Sequence, residues 1–222
     1  MHRESLEYSA GVSTRLQKKY GSFTHVIEPA LSYSLIINSE NNPPIFDSID
    51  MFKKESLFEL SLLNRFIDDK GEFMVARIAQ GFDSFRGDRP FLPLHLEIGI
   101  KRPLSARLET LYDVHTGKVD SINSEISMGF PIATISAGQR YNRLEDIKYY
   151  TAGLGLSLLK PFYLDSRVWY DSTTHEVREV SANIRYVAQC WAINLGIVNR
   201  PDDFNVSVMF ELKGLTKPLS VK

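Results

Sequence analysis

Five histidines are the most versatile side chains available for chemistry: His2, His25, His95, His115 and His175. No two of them show the i, i+4 helical pairing of a zinc protease. The one cysteine, Cys190, excludes a disulfide within the chain and any multi-cysteine zinc site. No metal site and no cofactor are expected. His115 lies near Asp113, and His175 lies near Asp171, Ser172 and Glu176. A hydrolase needs a serine, a base and an orienting acid held together, and no nucleophile motif surrounds Ser172. Gly153-Leu154-Gly155 lacks the strand-to-helix context of a phosphate loop. The expectation is a protein that is not an enzyme.

The elements that would position these residues read as strands. The chain has 222 residues, 43% hydrophobic and 24% charged, which suits a folded protein. A formal net charge of −1 provides no basic field for nucleic acid. Lys18-Lys19 and Lys53-Lys54 are short pairs that suit solvated turns. No apolar run approaches the roughly 18 residues of a membrane helix. Period-two alternation dominates instead. Tyr150, Ala152, Leu154, Leu156 and Leu158 alternate with Thr151, Gly153, Gly155 and Ser157. Trp191, Ile193, Leu195 and Ile197 alternate with Ala192, Asn194 and Gly196. Segments 94–101 and 206–213 repeat the pattern. About thirteen strands follow, at 5–17, 24–37, 55–67, 72–83, 93–102, 105–115, 120–130, 132–143, 147–159, 162–172, 176–188, 190–199 and 203–215. Leu57, Leu60 and Leu63 also fit a helix, but Phe58, Leu60, Leu62 and Phe66 alternate with polar neighbours and favour a strand. Short turns at 68–71, 102–105, 130–131 and 160–161 contrast with longer loops at 38–54 and 84–92.

Alternation alone fits both a soluble sandwich and a membrane barrel. Three features favour the barrel. Glu97, Lys101, Glu109, Asp113, Glu125, Asp165, Arg167, Arg185 and Glu211 all fall on polar faces. Phe130, Tyr149, Tyr150, Phe162, Tyr163, Trp169, Tyr170 and Trp191 collect near strand ends, as an interfacial girdle would. Small residues such as Gly153, Gly155, Ser157, Asn183 and Gly196 suit a wet lumen. The fold class expected is therefore an all-β, antiparallel transmembrane β-barrel. An odd strand count conflicts with the even number in bacterial single-chain barrels. Either one strand is miscounted, or the chain is part of a larger barrel. The start, Met1-His2-Arg3-Glu4-Ser5, has no apolar signal-peptide region, which also suits part of a longer protein.

Several ordered motifs resemble one family. His25-Val26-Ile27-Glu28-Pro29-Ala30-Leu31-Ser32-Tyr33 resembles the "H-x-I-E-P-x-x-x-Y" strand of the lipopolysaccharide-assembly outer-membrane protein family, LptD or organic solvent tolerance protein. Phe46-Asp47-Ser48, Leu63-Asn64-Arg65-Phe66, Gln80-Gly81-Phe82-Asp83, Gln189-Cys190-Trp191 and Phe210-Glu211-Leu212-Lys213-Gly214-Leu215 follow in the family's order. The resemblance covers about 25–215 and corresponds to the C-terminal part of a barrel of about 26 strands.

That resemblance implies one C-terminal barrel segment over 1–222, without the family's periplasmic domain and first strands. It implies residence in the Gram-negative outer membrane and a non-catalytic part in lipopolysaccharide transport and insertion. Its partners would be lipopolysaccharide, the plug lipoprotein LptE and a periplasmic Lpt bridge reached through the N-terminal domain. Cys190 would form an inter-domain disulfide, or remain a free thiol at a turn. Val206, Val208, Phe210 and Leu212 would line a closing strand that opens laterally, with Ser207, Glu211 and Lys213 on the lumen side. A porin or substrate-specific channel is the alternative function, and a β-sandwich binding module is a further one.

Overall fold

Period-two segments become extended strands because successive side chains then take opposite faces, wet and dry. The computed structural model describes residues 5–38 and 54–212. Its strands are β1 (Ser5–Ser13), β2 (Leu16–Tyr20), β3 (Phe23–Asn38), β4 (Glu55–Asp68), β5 (Gly71–Asp83), β6 (Leu94–Ile100) and β7 (Ser105–Asp113). They continue as β8 (Lys118–Gly129), β9 (Ala133–Asn142), β10 (Ile147–Leu159), β11 (Phe162–Asp171), β12 (Glu176–Val187), β13 (Trp191–Arg200) and β14 (Asp203–Leu212). The sheet order follows the chain order, with β1 and β14 at its ends and β2 also on β3. The described residues are thus all-β, built on one antiparallel sheet of fourteen strands. Segment 55–67 is a strand, as its alternation requires, and Ser84–Arg86 forms a single 3-10 turn. Residues 39–53, where the sequence suggests a loop, and residues from Lys213 onward lie outside the described residues.

One strand more than expected arises at a single proline. The anticipated strand 5–17 divides into β1 and β2, yet both lie along β3 in one continuous register. Ser13 faces Ala30 and Leu16 faces Ile27. The break at Thr14 and Arg15 lies opposite Glu28 and Pro29. Thr14 N–H donates to the Pro29 carbonyl at 3.1 Å, so the Pro29 backbone groups face the β1–β2 side. Proline has no N–H to return that bond, and the ladder is interrupted there.

The chain divides into two units, Met1–Arg102 with Arg107–Ile122, and Pro103–Ala106 with Asn123–Lys222. In the first unit, Phe58, Leu60, Leu62, Asn64 and Phe66 of β4 face Phe82, Gln80, Ile78, Ala76 and Met74 of β5. Glu59, Ser61, Leu63 and Arg65 occupy the opposite face with Gly81, Ala79, Arg77 and Val75. In the second unit, Tyr150, Ala152 and Leu154 of β10 face Tyr170, Val168 and Ser166 of β11, while Thr151, Gly153 and Gly155 face Trp169, Arg167 and Asp165. Both units therefore carry one apolar and one mainly polar face.

Burial is inverted relative to a water-soluble domain. The apolar faces are open, with Leu60 62% and Val208 72% exposed. Val26, Ala79 and Ala192 are the buried hydrophobic residues among the described ones. All three sit on polar faces, opposite Arg65, Ser61 and Glu211 respectively. A sandwich would instead bury the apolar faces against a second layer. At one small residue of the polar face, Gly138, crowding is a closer cause than lumen width, whereas Gly155 has room for a Cβ. A Cβ on Gly138 would meet the Ser124 carbonyl oxygen at 2.9 Å and Thr151 Oγ1 at 2.6 Å.

Aromatic side chains form bands near both strand ends, but with fewer members than the sequence suggests. Tyr149, Tyr163 and Trp169 share the polar face with Arg140, Arg185 and Glu179, so they do not belong to an apolar girdle. Register sets their direction, and aromatic identity does not report it. On the apolar face of the second unit, Phe162–Tyr186, Tyr186–Trp191 and Trp191–Phe210 are 5.0, 5.2 and 5.9 Å apart between ring centres. Tyr150 and Tyr170 pair near the other end. In the first unit, Phe23, Phe66 and Phe73 cluster near one end, and Tyr8, Tyr33 and Phe58 near the other.

Candidate functional site

The polar faces hold charges in opposite-sign pairs, because neighbouring strands place acids and bases side by side. In the first unit, Arg65 Nε donates to Glu72 Oε2 at 2.6 Å and Lys101 Nζ donates to Glu72 Oε1 at 2.8 Å. Arg77 donates to Glu59 at 3.1 Å and Arg15 lies 3.5 Å from Glu28, while Arg102 donates to Asp68 at 2.9 Å beside the β4–β5 turn rather than on the polar face. A cleft of about 470 Å³ opens among Arg15, Glu28, Ser61 and Arg77. In the second unit, Arg185 pairs with Glu211 at 2.7 Å, Arg200 with Glu179 at 2.8 Å and Arg167 with Glu125 at 3.7 Å. Its own cleft, about 290 Å³, is lined by Gly155, Tyr163, Asp165, Asn183 and Arg185. Such faces can solvate a polar passage or bind a polar solute through many weak contacts. They present little net charge to steer one sign of ion.

Several polar groups on the apolar faces find partners within the protein. His25 Nε2 and Asn64 Oδ1 share a 3.0 Å hydrogen bond, and the His25 ring stacks on Phe66 at 4.4 Å between centroids. Gln80 Nε2 donates to the Leu92 carbonyl at 2.6 Å, and the Ser166 hydroxyl donates to the Leu154 carbonyl at 3.3 Å. Internal pairing of this kind lowers the cost of placing polar groups among apolar neighbours.

The residues that carried the family resemblance are dispersed over different surroundings. His25 and Asn64 meet on the apolar face. Glu28 and Arg65 join the ion pairs, and Pro29 interrupts the edge ladder. Trp191 belongs to the aromatic cluster, and Cys190 is an exposed free thiol in the turn before β13. Val206, Val208, Phe210 and Leu212 are exposed on the apolar face of β14, which has β13 as its hydrogen-bonded neighbour. Asp47 and Gly214 lie outside the described residues.

Ser172 and His175, the serine and histidine weighed above for nucleophilic chemistry, each hydrogen-bond to another group. The Ser172 hydroxyl donates to the Lys148 carbonyl at 3.2 Å, while His175 Nδ1 lies 3.3 Å from the Tyr170 hydroxyl. One cluster was not anticipated. His95, Glu97 and Glu109 bring one imidazole nitrogen and two carboxylate oxygens within 4.8 Å of one another. Its first two members show a readable signal, an i, i+2 pair on one strand face. The third comes from a neighbouring strand, whose register the sequence does not state. No family model and no curated protein matches the chain.

Proposed function

We propose that this chain is a set of membrane-crossing strands from a larger outer-membrane β-barrel, and that it serves lipopolysaccharide transport and insertion without catalysing a reaction. The carrying observation is an exposed apolar face bounded by aromatic bands. Phe58 and Phe66 are eight residues apart on β4, and Phe162 and Tyr170 are eight apart on β11. At about 3.4 Å per residue each interval is about 27 Å along the strand. With a tilt of about 35–45° that becomes roughly 20 Å along the membrane normal, close to the apolar height of known barrels, about 25 Å.

The cargo rests on the ordered family resemblance from His25 to Leu215. In that reading the paired charges of the polar faces line the lumen and meet the plug lipoprotein LptE. The β14 strand lies at a lateral seam, Cys190 joins a periplasmic-domain cysteine, and the Lpt bridge delivers the lipid. The test is site-specific photo-crosslinking in Gram-negative cells carrying the full-length protein. A photoreactive residue at Ser207 or Met209 on β14 should capture lipopolysaccharide. Failure at every polar-face position of β14, together with ion conductance in planar bilayers, would replace this reading with a porin.

A further inference from the structure

We propose that His95, Glu97 and Glu109 form a site for a divalent transition-metal ion of the Zn²⁺ class on the polar face of the first unit. This site stands on its own geometry and does not require the transport function.

Two structural features make the three side chains converge. His95 and Glu97 are i and i+2 on β6, so they share a face. Glu109 reaches them from β7, the next strand in the sheet. His95 Nε2 lies 3.3 Å from Glu97 Oε1 and 3.2 Å from Glu109 Oε1. In a tetrahedral zinc site, bonds of about 2.0–2.2 Å set ligand atoms about 3.3–3.5 Å apart. Both nitrogen-to-oxygen distances lie within about 0.1 Å of that range, as two edges of one tetrahedron whose fourth corner would take water.

The donor set and its surroundings define the ion. One imidazole nitrogen disfavours Ca²⁺ and Mg²⁺, which take oxygen ligands. Two carboxylates neutralise a double positive charge. Arg77 is in register with Glu97 but donates to Glu59 at 3.1 Å, leaving Glu97 Oε1 directed at the imidazole. Arg107 stands 3.8 Å from Glu109 Oε2, the oxygen other than the one nearest His95. All three donor residues are part-exposed, so an ion can enter from water.

The competing description is a protonated His95 held between two carboxylates. To separate them, the full chain is refolded in lipid, stripped with a chelator, and titrated with Zn²⁺ by calorimetry and with Co²⁺ by visible absorption. One ion per chain is expected, with Co²⁺ giving the intense spectrum of a low-coordinate site. His95→Gln should weaken Zn²⁺ binding by about a hundredfold and Glu109→Gln by about tenfold or more, while Glu211→Gln, on the polar face of the second unit, leaves it within about twofold. Binding should also weaken in acid, because protons and the metal compete for the same ligand atoms. In the unmodified chain, nitrogen NMR should show the His95 ring shifting on Zn²⁺ addition while the His25 ring does not. Absence of saturable Zn²⁺ binding, an unmoved His95 signal, or full binding in a folded His95→Gln variant would overturn the proposal.

Discussion

At the scale of single residues, the hydrogen bond between His25 and Asn64 is the most informative contact on the apolar face. Both groups are polar, and their 3.0 Å bond gives the Asn64 amide oxygen a partner beside Phe66. Replacing His25 by Ala leaves the Asn64 amide without that partner, a loss of about 1–3 kcal/mol for a group away from water. Asn64→Leu added to His25→Ala should recover most of the loss. Equilibrium unfolding of the four variants in lipid vesicles measures this cycle, and strictly additive effects would show that the pair does not act as a unit. The two residues were visible in the sequence as motif members, but their contact was not. They are 39 positions apart, and only the β3–β4 register brings them together. Cluster formation by His95, Glu97 and Glu109 has the same origin.

Within individual strands, the two faces should respond oppositely to charge. Leu62 lies between Phe58 and Phe66 on the apolar face of β4, and its neighbour Ser61 lies on the polar face. Leu62→Arg should cost about 2–4 kcal/mol in vesicles, as a cation placed toward the bilayer midplane does. Ser61→Arg should cost less than about 1 kcal/mol, because its side chain meets water and paired charges. Equal costs in urea titrations would contradict a lipid-facing surface. Pro29 tests the ladder itself. Pro29→Ala restores an N–H directed at the Thr14 carbonyl, so the amide at position 29 should resist hydrogen exchange as its β3 neighbours do, and β1 and β2 should merge into one strand. Rapid exchange there would place the cause of the break elsewhere. Strand positions were legible because period-two alternation is local. The split between β1 and β2 was not, since it depends on which side of β3 the missing donor faces.

For the whole molecule, two native tryptophans report the two faces without any label. Trp191 stacks with Phe210 on the apolar face, and Trp169 faces Glu179 on the polar one. In vesicles of brominated lipid, Trp169→Phe leaves Trp191 as the emitter and should be strongly quenched. Trp191→Phe leaves Trp169 and should be much less affected. Similar quenching in both variants would contradict the assignment of faces. By itself, the sequence determined that the chain is built of antiparallel strands with one wet and one dry face, because alternation and turn residues act over a few positions. It also indicated the expected membrane setting and the family resemblance. Tertiary structure alone decided that the dry faces stay uncovered, that Tyr149, Tyr163 and Trp169 turn toward the charges, and that acids and bases from different strands meet in pairs. The physical reason is register. A shift of one residue between strands exchanges every side chain from one face to the other, and no local pattern specifies which distant residue will stand opposite.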